Sequence, residues 1–247
     1  MKQTLELENL IKNKPNWYVL SHKKQSELYK HQINLRHKIM RADIKKFCEH
    51  KKKSLLEIGC GDGLELKNLL GIKNLELSGC DYNKIRQARA RKLLPGVHIF
   101  YADIRKGLQV KRKYDAVLLN HVLEHIQDDD LLLTRIHSLL KPGGVLFLGV
   151  PQEASLPYVI RNHVFEPYIL WRTDHVHFYT SKTVLQKLEN TGFQAALVRY
   201  FNYAFPHSII DRFLRSSKFV HDVMEKLGKI VWYRMGAGAV WIMAVKT

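Results

Sequence analysis

The chain has few of the features that mark several protein classes. Its three cysteines (Cys48, Cys60 and Cys80) are an odd number without metal-ligand spacing, which argues against a disulfide scaffold or a structural zinc site and favours a reducing compartment. No apolar run approaches the ~18 residues that a membrane-spanning helix requires, and the first residues lack the apolar stretch of a secretory signal. We therefore expect a cytoplasmic protein, either soluble or peripheral on the inner face of the membrane.

Acidic residues are scarce relative to basic ones. The 247 residues include 40 Lys and Arg against 23 Asp and Glu, a net charge of +17. Most of the excess lies in the flanks, with net charges of +9 for residues 1–53, +3 for 54–150 and +5 for 151–247. Such a surface favours an anionic partner, namely nucleic acid, an anionic membrane or a phosphorylated substrate. A solvated basic face without a specific partner explains the charge equally well.

The pattern of apolar residues divides the chain at about residue 50. Residues 1–50 have helical periodicity, interrupted at Pro15, and predict a basic helical extension or lid. From residue 54, short apolar runs alternate with helical stretches, which predicts a parallel sheet covered on both faces. We expect one domain over 51–247, with substrate-side insertions at 151–180 and 202–235. The predicted strands are 54–58, 75–80, 97–101, 114–119, 145–150, 195–201 and 239–245.

The first predicted strand runs into the glycine turn Gly59-Cys60-Gly61-Asp62-Gly63, and a helix follows it. Glycines permit turn geometries closed to other residues and let the backbone approach a ligand closely. The dinucleotide pattern Gly-x-Gly-x-x-Gly would place its third glycine at Leu64. That shift counts against a site for nicotinamide or flavin dinucleotides and makes an oxidoreductase a distant alternative.

Polar residues stand at the ends of the next predicted strands. Asp81 follows Gly59 by 22 residues, where a carboxylate can accept hydrogen bonds from both ribose hydroxyls of a nucleoside. Asp103 ends the third strand and can accept an adenine amino group, with the Ile104 backbone against the ring. Asn120 ends the fourth strand, at the same edge of the sheet. Together these residues predict a nucleoside-binding crevice.

These segments, in this order, resemble the class I S-adenosylmethionine-dependent methyltransferases. The resemblance covers roughly residues 54–200 and includes Leu-Leu-Lys-Pro-Gly-Gly-Val-Leu at 139–146. It implies a doubly wound, Rossmann-like α/β fold with a seven-stranded, mostly parallel sheet of order 3-2-1-4-5-7-6, in which strand 7 is antiparallel. It implies S-adenosylmethionine as cofactor, with S-adenosylhomocysteine as product. Its implied contacts are Glu57, Gly59, Cys60, Gly61 and Gly63 for the methionine part, Asp81 and Tyr82 for ribose and adenine, Asp103 and Ile104 for adenine, and Asn120 for the crevice wall.

The segment Leu123-Glu124-His125 is similar to the small-molecule branch of that family, which includes quinone-ring O-methyltransferases and cell-envelope sugar or lipid methyltransferases. Enzymes that methylate exocyclic amines of bases usually carry Asn/Asp-Pro-Pro-Tyr/Phe at this strand end, and this chain does not. The stretch 174–180 also resembles the small-molecule branch, near the substrate mouth. The resemblance thus implies O-methylation of a small or lipid-linked metabolite, with an RNA methyltransferase or a cofactor-binding module without turnover as alternatives.

Methyl transfer to a hydroxyl requires alignment of the acceptor and removal of a proton. Histidine is the natural base near neutral pH, and His125 and His175 follow crevice-facing segments. Glu124 with His125 resembles a metal-binding pair of the quinone-methylating relatives, but two residues are too few for a metal site, so we predict none. Arg36 could pair with the cofactor carboxylate, although a solvated arginine is the simpler interpretation. The amphipathic, basic stretch 208–231 fits packing on the sheet or contact with an anionic membrane.

Overall fold

The computed structural model describes residues 27–107, 110, 112–167, 173–203, 207, 209–210, 217–231 and 237–247. The predicted break at Pro15 and parts of the predicted insertions lie outside the described residues. The helices are α1 (Glu27–Phe47), α2 (Leu64–Leu69), α3 (Lys84–Leu93), α4 (Asp129–Leu139), α5 (Leu156–Ile160), α6 (Ser181–Asn190) and α7 (Lys218–Val231). The strands are β1 (Lys53–Ile58), β2 (Leu75–Asp81), β3 (His98–Tyr101), β4 (Tyr114–Asn120), β5 (Leu140–Pro151), β6 (Phe193–Tyr203) and β7 (Ala237–Lys246).

The seven strands form one sheet, ordered β3-β2-β1-β4-β5-β7-β6. Strands β1 to β5 pair in parallel, whereas β7 runs antiparallel to both β5 and β6. The predicted sheet order and the antiparallel seventh strand are therefore confirmed. The chain order reverses between β1 and β4, so the carboxyl ends of these two strands border a crevice, where ligands of open α/β sheets bind.

The central strands are apolar on both faces because helices cover both sides of the sheet. Successive residues of β4 alternate between two buried clusters, with Val117 and Leu119 on one face and Ala116 and Leu118 on the other. This period of two is the side-chain alternation of a strand. Burial on both faces explains why these strands read in the sequence as continuous apolar runs.

The second half of α1 belongs to the core. Met40 and Ile44 are buried in the cluster under the sheet. The buried Asp43 carboxylate accepts hydrogen bonds from Arg199 Nε (2.9 Å) and Nη2 (2.7 Å) and from Trp241 Nε1 (3.1 Å). Helix α1 is therefore fixed to β6 and β7 by polar contacts as well as by packing. The division of the chain into an extension and one domain stays a prediction.

Two details differ from the sequence-based expectation. Strand β5 begins at Leu140, which pairs with Tyr114 before the register shifts, and not at Val145. Helix α4 ends at Leu139, and the Lys-Pro-Gly-Gly segment that follows it lies inside an irregular strand. The insertion after Pro151 holds α5 and the π-helical turn Arg161–Phe165, neither of which shows a clean period in the sequence. Among the described residues, no helix combines the length and apolar character needed to cross a bilayer.

Candidate active site

The glycine turn joins β1 to α2 as the sequence predicts. Gly59, Gly61 and Gly63 all have positive φ angles, 73°, 51° and 81°, which L-residues with a side chain rarely adopt. A Cβ atom would lie 2.6 Å from Val122 Cγ2 at Gly59 and 2.8 Å from a Leu94 methyl at Gly63, and at Gly61 it would collide with the Arg86 guanidinium. Packing within the chain therefore favours glycine at each of these three positions, whether or not a ligand also approaches the turn.

Asp81 lies at the carboxyl end of β2, beside this turn. Its buried carboxylate accepts hydrogen bonds from the backbone N–H of Gly61 (2.8 Å) and of Asn83 (2.7 Å). Asp81 thus ties the glycine turn to the turn that starts α3. The sequence pattern indicates only a ligand contact for Asp81, and the structure adds a structural role for the same carboxylate.

Glu57 is buried at the end of β1. Burial, together with the negative charges of Glu65 and Asp81, raises the pKa of Glu57 well above its usual range, although the Leu66 backbone N–H opposes the shift. One carboxyl oxygen of Glu57 has no hydrogen-bond partner among the described residues. A buried polar atom without a partner is costly, so Glu57 fits a site that is completed by a donor from a ligand. Cys60, beside it in the turn, is buried too.

The predicted adenine-binding side contains an arginine that no sequence motif indicates. Arg105 donates from its backbone N–H, Nε and Nη2 to the Asp103 carboxylate at 3.1, 2.9 and 2.9 Å, and these bonds lower the pKa of Asp103. The Arg105 guanidinium also lies 4.5 Å from the centre of the Tyr82 ring. The buried Ile104 follows Asp103, and its carbonyl accepts a hydrogen bond from Arg135 Nη1 (2.9 Å). Tyr82, Asp103 and Ile104 are thus brought to one place, with Arg105 contacting the first two.

A polar cluster connects α1 to the crevice wall. Glu65 in α2 accepts a hydrogen bond from Asn120 Nδ2 (3.0 Å) and lies 3.4 Å from Arg36 and 2.9 Å from His37. Burial raises the pKa of Glu65, but the hydrogen bond with His37 and the charge of Arg36 outweigh it and lower that pKa. The Asn120 side chain fits against Gly149, where a Cβ would collide with its oxygen. The sequence singled out Asn120 and Arg36 but gave no signal for Glu65, because the link spans three separate elements.

His121 is a second site residue that the sequence motifs do not single out. Its φ of 53° is unusual for a residue with a side chain, and such strain is characteristic of functional sites. Arg36 Nη1 lies 2.9 Å from His121 Nε2, and His121 Nδ1 lies 3.2 Å from a Glu124 oxygen. Because an arginine can only donate, the ring accepts at Nε2 and donates from Nδ1 to Glu124.

The two predicted bases, His125 and His175, lie side by side. Their ring centroids are 4.7 Å apart, and His125 comes from the segment after β4 whereas His175 comes from the segment before α6. His125 Nδ1 lies 3.2 Å from an Asp174 oxygen, and His175 Nδ1 lies 2.6 Å from a Glu153 oxygen. Burial lowers the pKa of His125, but Asp174 and Glu124 outweigh it and hold the pKa above its usual value.

Glu124 joins the two histidines in a group of three side chains whose ligand atoms lie close together. One ligand atom each from Glu124, His125 and His175 lie within 4.8 Å of one another, and one Glu124 oxygen has no hydrogen-bond partner among the described residues. Burial raises the pKa of Glu124, but His121 outweighs it, so the carboxyl group stays ionised. A carboxylate with two imidazoles is a suitable ligand set for a divalent cation. The prediction that the chain has no metal site stays a prediction.

An open cavity of about 790 Å³ lies between α5, α6 and β6. Its lining includes Ala154, Leu156, Leu185 and Tyr200, and none of the predicted site residues. The segment from Gln152 to Leu156 borders this cavity and also carries Glu153, the partner of His175. Residues that line the cavity are therefore close in the sequence to Glu153, the partner of His175.

Comparison with known proteins relates this chain to a family. A family model described as "Methyltransferase domain" matches residues 29–198. The ubiquinone biosynthesis O-methyltransferase of Chelativorans sp. (strain BNC1) is 35% identical over 148 residues, 58% of each chain. This chain spans about half the length of the first curated relatives that it matches.

Two solved structures share the fold. A phosphoethanolamine N-methyltransferase 2 of Haemonchus contortus, in complex with S-adenosyl-L-methionine, has a TM-score of 0.59 and 19% identity over 84% of this chain and 52% of that chain. An S-adenosylmethionine-dependent methyltransferase from Archaeoglobus fulgidus has a TM-score of 0.55 and 21% identity over 90% of this chain and all (100%) of that chain. Since the family model covers more than half of the residues, the chain belongs to the methyltransferase domain family.

Proposed function

We propose that the chain transfers a methyl group from S-adenosylmethionine to a hydroxyl group of a small or lipid-linked metabolite, with His125 as the base. The observation that carries this proposal is the contact between His125 and Asp174, at the crevice end of the sheet. The Asp174 oxygen lies 3.2 Å from His125 Nδ1 without forming a hydrogen bond, so the carboxylate acts through its charge and stabilises the protonated imidazole, as required of a group that accepts a proton.

The cofactor would lie along the glycine turn. Glu57, with its unpartnered oxygen, would accept from the amino group of the methionine part, beside Gly59, Cys60, Gly61 and Gly63. Asp81 and Tyr82 would hold the ribose and adenine, Asp103 and Ile104 the adenine, and Asn120 the crevice wall. When bound, S-adenosylmethionine supplies the methyl group: the new carbon–oxygen bond forms as the sulfur–carbon bond breaks, and the electron pair stays on sulfur in S-adenosylhomocysteine.

The chain's own part in the chemistry is proton removal and alignment. His125 takes the acceptor's hydroxyl proton and becomes an imidazolium, which the Asp174 carboxylate stabilises. His175, held by Glu153, would shape the acceptor mouth. Fixing the acceptor oxygen in line with the leaving sulfur supplies the rest of the rate enhancement through proximity.

The acceptor class is inferred from several observations. The fourth strand ends in Asn120-His121-Val122-Leu123 and not in the Pro-Pro pattern usual for base amines. The cavity lined by residues next to Glu153 in the chain has room for the unreactive part of an acceptor, and its lining combines apolar side chains such as Leu156 and Leu185 with polar ones such as Lys182. The Chelativorans relative is a ubiquinone biosynthesis O-methyltransferase. Contact with an anionic membrane would bring a lipid-linked acceptor to this site.

The test measures formation of S-adenosylhomocysteine with a panel of hydroxyl acceptors. His125→Ala should lower turnover by about 10²–10⁴-fold while cofactor affinity barely changes. His175→Ala should raise the Michaelis constant of the acceptor more than it lowers turnover. His50→Ala is the matched control, because His50 is a solvent-exposed histidine outside the site.

Unchanged turnover in His125→Ala would show that His125 is not the base. Catalysis would then rest on the alignment of acceptor and cofactor alone. Turnover on RNA, with strongly salt-dependent binding, would favour the RNA alternative. Cofactor binding without turnover on any acceptor would favour a binding module.

A metal-assisted version of the same reaction rests on the cluster of Glu124, His125 and His175. A bound divalent cation would polarise the acceptor hydroxyl and lower its pKa. Dialysis against a chelator separates the two versions: the proposed base mechanism keeps its turnover, whereas the metal version loses it and regains it with added Mg²⁺ or Zn²⁺.

A further inference from the structure

Helix α7 presents apolar side chains to solvent. Phe219 and Ile230 are 78% and 79% exposed, and Leu227 is 53% exposed. Leu227 and Ile230 follow Phe219 by eight and eleven positions, so the three side chains lie on one face of the helix. An ordinary surface helix turns its apolar stripe toward the core, whereas α7 exposes these apolar side chains to solvent.

The inward face of α7 is fixed by contacts to β6. The buried Glu225 carboxylate accepts a hydrogen bond from the Tyr203 backbone N–H (3.0 Å), and Gly228 lies directly against the Tyr203 ring. These contacts determine the orientation of the helix. Phe219, Leu227 and Ile230 therefore cannot turn inward without breaking them.

A second group of exposed apolar residues lies in the π-helical turn and near position 209, two segments that meet beyond the end of β6. Val164 and Phe165 of the π-helical turn are 67% and 50% exposed, and Ile209 is 68% exposed. The Phe165 ring contacts the His207 ring, with centroids 5.2 Å apart, so the turn and the segment near Ile209 are neighbours. We name the two groups together the apolar rim: Val164, Phe165, Ile209, Phe219, Leu227 and Ile230.

The apolar rim lies on the acceptor side of the molecule. Strands β5 and β6 each pair antiparallel with β7, so they point the same way, and their carboxyl ends share an edge with the crevice. Helix α5 leaves β5 at this edge and is joined to β6 there, because Tyr158 Oη donates to the Asn202 carbonyl (3.2 Å). An apolar patch of this kind marks an interaction surface.

Charge indicates what covers the rim. Five basic residues fall between positions 209 and 231 against three acidic ones, and one of the acids, Glu225, is buried against β6. Lys226 is exposed beside Leu227. Cations among exposed apolar side chains are typical of helices that lie in an anionic membrane interface. A second copy of this chain, also at +17, would be repelled by like charge.

We infer that the apolar rim docks on an anionic phospholipid membrane and thereby presents the crevice to an acceptor held in that membrane. This inference rests on the proposed function for the acceptor, but the docking itself needs no turnover. Phe219, Leu227 and Ile230 would enter the interface while the basic side chains contact lipid phosphates.

The experiment is flotation of the full chain with vesicles. Vesicles of phosphatidylcholine alone are compared with vesicles of phosphatidylcholine and phosphatidylglycerol in equal amounts. The wild-type chain should bind the anionic vesicles more tightly, and added salt should weaken the binding. The double variant F219S/I230S should lower the partition coefficient on anionic vesicles by at least about tenfold, because it removes two of the largest exposed apolar groups.

The matched control is the double variant L70S/L131S. Leu70 and Leu131 are 45% and 46% exposed, but they lie outside the rim, after α2 and in α4. The control should bind vesicles like the wild type. Calorimetry with S-adenosylmethionine on every variant checks that the fold and the cofactor site are intact.

Three results would overturn the inference. They are the absence of wild-type binding to anionic vesicles, equal binding by F219S/I230S, and a dimer in sedimentation that F219S/I230S dissolves, which would identify a second copy as the occupant. Unchanged turnover in His125→Ala would refute the proposed base and leave vesicle binding as it is, so the two failures are distinguishable.

Discussion

Replacing Asp174 by asparagine should lower the pKa of His125. In the wild type, the Asp174 and Glu124 carboxylates outweigh burial and raise the pKa of His125 above the usual value of about 6.5. An asparagine side chain would keep a similar shape but remove the charge that lies 3.2 Å from His125 Nδ1. The imidazolium then loses part of its stabilisation, so the pKa must fall.

The size of the effect follows from the exposure of the pair. The Asp174 side chain is 55% exposed and that of His125 is 32% exposed, so water screens their attraction. Pairs of this kind contribute about 0.2–1 kcal/mol. Asp174→Asn should therefore remove an attraction of about this size from the imidazolium and lower the pKa of His125.

The assay is an NMR titration of the histidine ring protons, with His125→Ala to assign the His125 signal. It needs no acceptor. Glu153→Gln is the matched control, because it removes a carboxylate from His175 at 2.6 Å and leaves Asp174 in place. The acid limb of the pH–rate profile should move with the His125 pKa, since a protonated imidazole cannot accept the proton. A His125 pKa that is unchanged or higher in Asp174→Asn would refute the electrostatic pairing and, with it, the argument for His125 as the base.

Three further predictions concern the polar contacts around the site. Asp81→Ala should weaken binding of S-adenosylmethionine by about 1.5–3 kcal/mol in calorimetry and also lower thermal stability, because the carboxylate holds two backbone N–H groups as well; unchanged affinity would contradict the pocket assignment. Gly149→Ala should displace the Asn120 side chain, cost about 1–3 kcal/mol in denaturant unfolding and weaken cofactor binding as Asn120→Ala does; equal affinity to wild type would show that Asn120 lies outside the cofactor site. Lys187→Met should lower the free energy of unfolding at pH 7 by about 1–2 kcal/mol, because the buried Asp129 carboxylate loses the Lys187 ammonium at 2.8 Å and keeps the Tyr179 hydrogen bond and a longer contact with His177 (3.7 Å). Lys187 and that tyrosine outweigh burial and lower the pKa of Asp129, so the loss should shrink as the pH falls below about 4, and a loss that persists in acid would contradict the pairing.

The sheet was predictable from the sequence because its signals are local. Apolar runs buried on both faces identify strands such as β4, and the glycine turn fixes the junction of β1 with α2 through positive φ angles that few other residues adopt. The resemblance to class I methyltransferases added the strand order. The sequence could single out Asp81 and Asn120 as candidate site residues because the carboxyl ends of parallel strands meet at one edge.

The partners of the candidate site were not predictable, because they come from distant parts of the chain. Glu65 joins Arg36 to Asn120 across three elements, and Asp174 reaches His125 from about fifty positions away. No periodicity encodes such contacts, since they depend on how helices and loops pack on the sheet.

The amino-acid sequence by itself determined the strands, the glycine turn and the net charge of +17, each of which follows from residue type and local spacing. Only the tertiary structure decided which face of α7 is exposed. The sequence shows an amphipathic helix, whose apolar stripe would ordinarily pack inward. The contacts of Glu225 and Gly228 with Tyr203 turn that helix so that Phe219 and Ile230 face the solvent.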